Sequence, residues 1–179
     1  NKRSHLSPRA LPRAIEVKPV RSVASIESAG TPEPTPVAGC KDTLNGEYAP
    51  GDGYNHCDRY VMCLFCSSFA VVGTPEELWR LFSFQAFAQE ELNYLDTTPG
   101  GERTNDEMLE DLRDRYRIAI PYIDSFTQRQ FPGGIINEAR KMLQRGLHPF
   151  WVHQMKLSRH GRLPLNGSDT TIVGESYAQ

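Results

Sequence analysis

Four cysteines, Cys40, Cys57, Cys63 and Cys66, are the residues of this chain whose type and spacing most readily do chemistry. They fall in a Cys-x16-Cys-x5-Cys-x2-Cys order, with His56 beside the second. Thiolates select zinc over harder cations, and a closed tetrahedral site takes four ligands from two chain segments. The spacing predicts one structural zinc ion, with Cys63 and Cys66 as a short knuckle and Cys40 and Cys57 as the other half-site. The intervening loop is rich in Gly, Asp, Asn and Pro, so a metal gives it a reason to be ordered. His56 is a substitute ligand if one thiol points away. Two other uses of the thiols stay open: apolar burial, which Val61-Met62-Cys63-Leu64-Phe65-Cys66 suits, and two disulfides.

The elements that must position these thiols lie on either side. Residues 1–39 read as an extended proline-rich arm or linker, because six prolines prevent helix propagation and the apolar residues are scattered. Ala14 to Val23 alternates in part and suits an added edge strand. Thr31 to Pro36 reads as a stiff spacer. Residues 40–73 form the cysteine-rich zinc-binding segment, 74–162 a helical body with a basic C-terminal part, and 163–179 a flexible tail. The expected fold is mainly α, a small zinc-stabilised helical domain with an extended N-terminal arm.

Within the body, Thr74-Pro75-Glu76-Glu77 predicts a capped helix running to about Tyr94. Thr104-Asn105-Asp106-Glu107 repeats the signature and predicts a second helix to about Pro121, with Met108, Leu109, Leu112, Tyr116, Ala119 and Ile120 inward. Pro121 is expected to interrupt or kink that helix, and Pro132-Gly133-Gly134 to stop its continuation. A third helix is expected over about Ile135 to Arg145, closed by Gly146. Trp79, Phe84 and Trp151 are candidates for an interaction surface, against the favoured reading that Trp79, Phe82, Phe84 and Phe87 pack in the core and the alternative that Phe150 and Trp151 close it.

The formal net charge of -2 hides a segregation. Residues 1–39 carry six Lys/Arg against three Glu, and residues 134–179 six against three Asp/Glu; residues 74–133 carry six against twelve. Basic ends around an acidic middle permit local contact with phosphates. Arg140, Lys141, Arg145, Lys156, Arg159 and Arg162 are the candidate DNA-binding residues, with Trp151 or Phe150 able to stack on bases. The rival reading is a zinc-stabilised protein-interaction module with no nucleic-acid role. His148 and His153 lack an accompanying nucleophile, so no catalytic residue is assigned. No run approaches 18 apolar residues, and a cytoplasmic setting without membrane contact is expected. The absence of an initiator Met suggests a C-terminal piece of something longer.

The run Cys40-Lys41-Asp42, Tyr48-Ala49-Pro50, Cys57-Asp58-Arg59-Tyr60-Val61-Met62-Cys63-Leu64-Phe65-Cys66, Val71-Val72 and Leu78-Trp79-Arg80-Leu81-Phe82 resembles the cysteine-containing C-terminal region of large bacterial site-specific integrases of the tyrosine recombinase class. The resemblance extends over about residues 40–155, including His148-Pro149-Phe150-Trp151. It implies DNA cutting and rejoining through a tyrosine–phosphate link made upstream of this chain. His56-Cys57-Asp58-Arg59 has the bare His-x-x-Arg spacing of that active site, and Tyr94 follows. The element lies in the cysteine loop, however, and the earlier arginines sit in the arm. The implied role is a non-catalytic DNA-binding and assembly module whose partners are DNA and an upstream catalytic domain or neighbouring recombinase subunit.

Overall fold

The computed structural model describes residues 32–97 and 106–161. The rest of the arm, the second capping signature at Thr104, Arg162 and the tail lie outside the described residues. The fold is mainly helical. Four helices, α1 (Pro75–Thr97), α2 (Asp106–Gln130), α3 (Gly133–Arg145) and α4 (Pro149–Gly161), are preceded by three two-residue strands and a 3₁₀ turn, Tyr60–Phe65.

α1 is the axis of the body, with α2, α3 and α4 all packed against it. Its Leu78, Leu81, Phe82, Phe84, Phe87, Ala88, Leu92 and Leu95 are buried, a stripe too wide for a helix with one covered face. Thr74 caps it as expected, with the Glu77 N–H donating to Thr74 Oγ1 at 3.2 Å. The return half of the capping box is diverted, because the Glu77 carboxylate accepts the Val72 N–H at 2.5 Å instead. The helix also runs three residues beyond Tyr94.

α2 departs from the sequence reading at Pro121, which neither ends nor interrupts it. Pro121 is exposed, so the Arg117 carbonyl that loses an N–H partner lies on the face where water replaces it. Beside it the Gln85 amide donates to the Ile120 carbonyl and to Asp124 Oδ2, both at 2.9 Å, holding this stretch to α1. Met108 and Leu109 were expected inward but are 66% and 37% exposed. The inward face begins at Leu112 and continues through Tyr116, Ala119, Ile123 and Phe126. α3 ends where expected, with the Gly146 N–H donating to the Leu143 and Met142 carbonyls.

The largest revision concerns the proline-rich spacer. Glu33–Pro34 (β1) pairs antiparallel with Gly39–Cys40 (β2), which pairs with Phe69–Ala70 (β3). Thr35 makes the turn: its hydroxyl accepts the Val37 and Ala38 N–H groups at 3.3 and 3.2 Å. Val37 and Ala38 have no exposed surface at all. The stretch is a hairpin plugged into the core. Proline is tolerated because the strand is an edge.

Gly73 joins this sheet to α1 with φ of +79°, and a Cβ there would stand 2.6 Å from the Phe131 ring. Backbone strain and collision add, so Gly73→Ala should lower stability by about 2 kcal/mol or more. Gly134→Ala is the control, since a Cβ there meets nothing within 4 Å. Urea unfolding of both variants checks this; equal midpoints would contradict it.

A candidate metal centre and the surfaces around it

The three-stranded sheet and the 3₁₀ turn bring the four thiols together. β2 ends in Cys40, a polar loop carries Cys57, and the 3₁₀ turn carries Cys63 with Cys66 directly after it. The Cys66 N–H donates to the Cys63 carbonyl at 3.0 Å, which is the tight knuckle expected of a Cys-x2-Cys pair. Cys57 is placed by its N–H, which donates to the Thr43 carbonyl at 2.8 Å.

All four cysteines are free thiols, partly buried, and all four line one cavity of about 20 Å³. That volume holds one water-sized sphere, enough for an ion and too small for an organic substrate. Thr35, Asp42, Thr43, Arg59, Tyr60 and Phe69 are also in the wall. Burial pushes the Cys63 thiol far up from its ordinary range, and the other three sulfurs push in the same direction. Cys40 is also raised, first by burial, with a hydrogen bond from the Asp42 backbone opposing it. These directions follow from gathering groups that repel one another as anions in a partly buried pocket.

The donor set therefore fits a soft divalent metal in kind, number and cavity size. Among the described residues, no three His, Cys, Asp or Glu side chains already stand in ligating arrangement. Four-sulfur ligation thus requires the thiols to draw inward. His56 is not part of the cavity wall.

The proposed DNA-binding residues divide into two sets. Arg140 donates to Asp124 Oδ1 at 2.8 Å and stacks 4.5 Å over Phe82, linking α3 to α2 and α1. Arg159 makes a two-pronged contact with Glu90, at 2.7 and 2.8 Å, tying α4 to α1. Lys141, Arg145 and Lys156 are exposed.

Of the three aromatic residues expected on an interaction surface, Trp79 is partly buried, and its indole N–H donates to the Gly146 carbonyl at 2.8 Å. Phe84 and Trp151 are core residues, 1% and 2% exposed, and are not available to a partner. The physical reason is α4, a helix the sequence reading did not separate. Its Trp151 enters between Phe84 and Phe87, with ring centroids 5.1 and 4.9 Å away. The missed signal was His148-Pro149, a cap followed by proline at the first helical position.

His148 does structural work at that position. Its carbonyl accepts the Trp151 and Val152 N–H groups, and its own N–H donates to Ser83 Oγ at 2.9 Å. Burial, and then the charge of Arg80, lower its pKa. His153 is exposed on the same helix.

A groove of about 560 Å³ lies next to the cysteine knuckle. Asp58 to Met62 form one wall, with Phe150, Trp151 and Gln154 of α4 and Phe87 of α1 opposite. Tyr60 meets Phe150 edge-on at 5.2 Å across this region. Among the described residues, no helix is long and apolar enough to cross a membrane. No family model, curated protein or solved structure matches this chain.

Proposed function

We propose that this chain is a non-catalytic accessory module, organised by one structural zinc ion on Cys40, Cys57, Cys63 and Cys66, that binds DNA and assembles a site-specific tyrosine recombinase. The observation that carries the zinc reading is the convergence of all four thiols, from three separate chain segments, on one ion-sized cavity. When bound, the metal would supply cross-linking of those segments and no reaction chemistry, since a four-sulfur site leaves no open position. The DNA part rests on the resemblance around the cysteines and on exposed Lys141, Arg145 and Lys156.

Because Arg140 and Arg159 are engaged with Asp124 and Glu90, the phosphate contacts among the described residues fall to Lys141, Arg145 and Lys156. Replacing these three by Gln should weaken duplex binding across all sequences and lower the salt slope by about 1 for each phosphate no longer neutralised. Fluorescence anisotropy at several salt concentrations measures both, with helicity as the folding control. A folded triple variant with unchanged affinity and slope would sink the DNA reading. The second reading, a protein-interaction module, is favoured by the groove beside the knuckle. Its volume is in the range of sites that receive a ligand or an anchoring side chain.

A further inference from the structure

We infer that Thr43 is the positioning residue of the metal centre, acting through a hydrogen-bond relay that joins Glu33 and His56 and locks the Cys40 and Cys57 segments together. The inference rests on the zinc reading above and assigns the arrangement that would hold half of that site in register.

Thr43 is 8% exposed and lines the thiol cavity. Its hydroxyl lies 2.5 Å from Glu33 Oε2 and 2.7 Å from His56 Nδ1. A hydroxyl carries one proton, and an ionised carboxylate can only accept. The Thr43 O–H therefore donates to Glu33, and its oxygen must accept from an N–H on His56 Nδ1. The relay runs His56 Nδ1–H to Thr43 Oγ1–H to Glu33 Oε2. It fixes the His56 tautomer, and Glu33 also stands 3.8 Å from the His56 ring nitrogen.

Each end of the relay is attached to a thiol. Glu33 is directly opposite Cys40 in the β1–β2 register. His56 precedes Cys57, whose N–H is held by the Thr43 carbonyl. One residue thus grips both members of the half-site whose ligands are 17 positions apart. The Cys63 and Cys66 half needs no such device, because its 3₁₀ turn sets the spacing locally. His56 in this arrangement orders the Cys57 segment from outside the cavity wall and is not a ligand. Groups that hydrogen-bond a metal ligand directly are worth about 10- to 100-fold in affinity, and a relay acting one residue away from the thiols falls at the lower end of that range.

The test is zinc affinity of the full chain, measured by competition with a chromogenic chelator, for wild type, Thr43→Val and Thr43→Ser. Thr43→Val keeps the shape and the backbone bond to Cys57 but deletes the hydroxyl, and should weaken zinc by about 10-fold. Thr43→Ser restores the relay and should recover most of that loss. Nitrogen-15 NMR of His56 gives an independent readout: the wild type should show a protonated Nδ1, and Thr43→Val should release it to a tautomer mixture. Wild type that binds zinc, with Thr43→Val binding equally tightly or His56 carrying its proton on Nε2, overturns the relay and leaves the zinc reading standing. Wild type that binds no zinc overturns both. Should Thr43→Val fail to fold, Glu33→Gln at the exposed end of the relay replaces it, with a smaller affinity loss expected and an unchanged affinity counting against the relay.

Discussion

Cys63→Ser should release zinc from the chain and lower the thermal midpoint by roughly 8–16 °C relative to the zinc-loaded wild type. A ligand present at about a thousand times its dissociation constant stabilises the folded state by about 4 kcal/mol. For a protein of this size each kcal/mol moves the midpoint by about 2–4 °C. Cys63 is the choice because burial, and then the three other sulfurs, raise its pKa and so favour the neutral thiol over the thiolate. A cation is what would make it one. The loss should concentrate in residues 32–72, where the ordered backbone consists of two-residue strands, turns and a 3₁₀ helix. Hydrogen exchange should therefore accelerate there first, with the α1 amides changing less. Calorimetry of both proteins with zinc and after chelation separates the metal from the substitution: the stripped wild type and stripped variant should melt close together. A wild type that carries no zinc when folded and reduced, or a Cys63→Ser chain that keeps its zinc and its midpoint, would refute the proposal.

Trp151→Ala should cost about 3–5 kcal/mol, the usual loss for truncating a buried large aromatic side chain. Trp151 is 2% exposed, and its ring meets Phe84, Phe87 and Phe150 with centroids about 5 Å apart. Its indole N–H donates to the Pro36 carbonyl at 2.8 Å, across 115 positions of sequence. The same side chain therefore seats α4 on α1 and holds the hairpin against both. Trp151→Phe separates the two roles: packing is largely kept, while the Pro36 carbonyl loses its donor, at a cost of about 1–3 kcal/mol. Urea unfolding of the three proteins checks the order. A Trp151→Ala chain within about 1 kcal/mol of wild type would show that α4 is not part of the cooperative core.

Several features of the fold were legible in the sequence because they depend on neighbours along the chain. Thr74-Pro75 starts α1, and Gly146 closes α3, since caps satisfy backbone groups within one turn. The tight Cys63-Cys66 turn is local in the same way. The stripe from Leu78 to Leu95 announces a helix covered on several sides, and α2, α3 and α4 cover it.

What only the tertiary structure decided involves partners far apart in sequence. Proline content marked residues 32–36 as a spacer, yet β2, the buried Val37 and Ala38 and the Trp151 indole convert them into a packed hairpin. Pro121 stays within a continuous helix because its face is open to water and Gln85 ties the flanking Ile120 carbonyl and Asp124 to α1. Phe84 and Trp151, exposed candidates by residue type, are hidden because each buries the other. Arg140 and Arg159 carry charge that composition counts as free, and Asp124 and Glu90 take it up from other helices. The four cysteines stood out in the sequence by their spacing as a set of thiols. Their convergence on one cavity, and the Glu33–Thr43–His56 relay beside it, required strand pairing to bring residues 33, 43 and 56 together. Composition and periodicity describe each residue's own preference, whereas burial and charge pairing are settled by what the folded chain places opposite it.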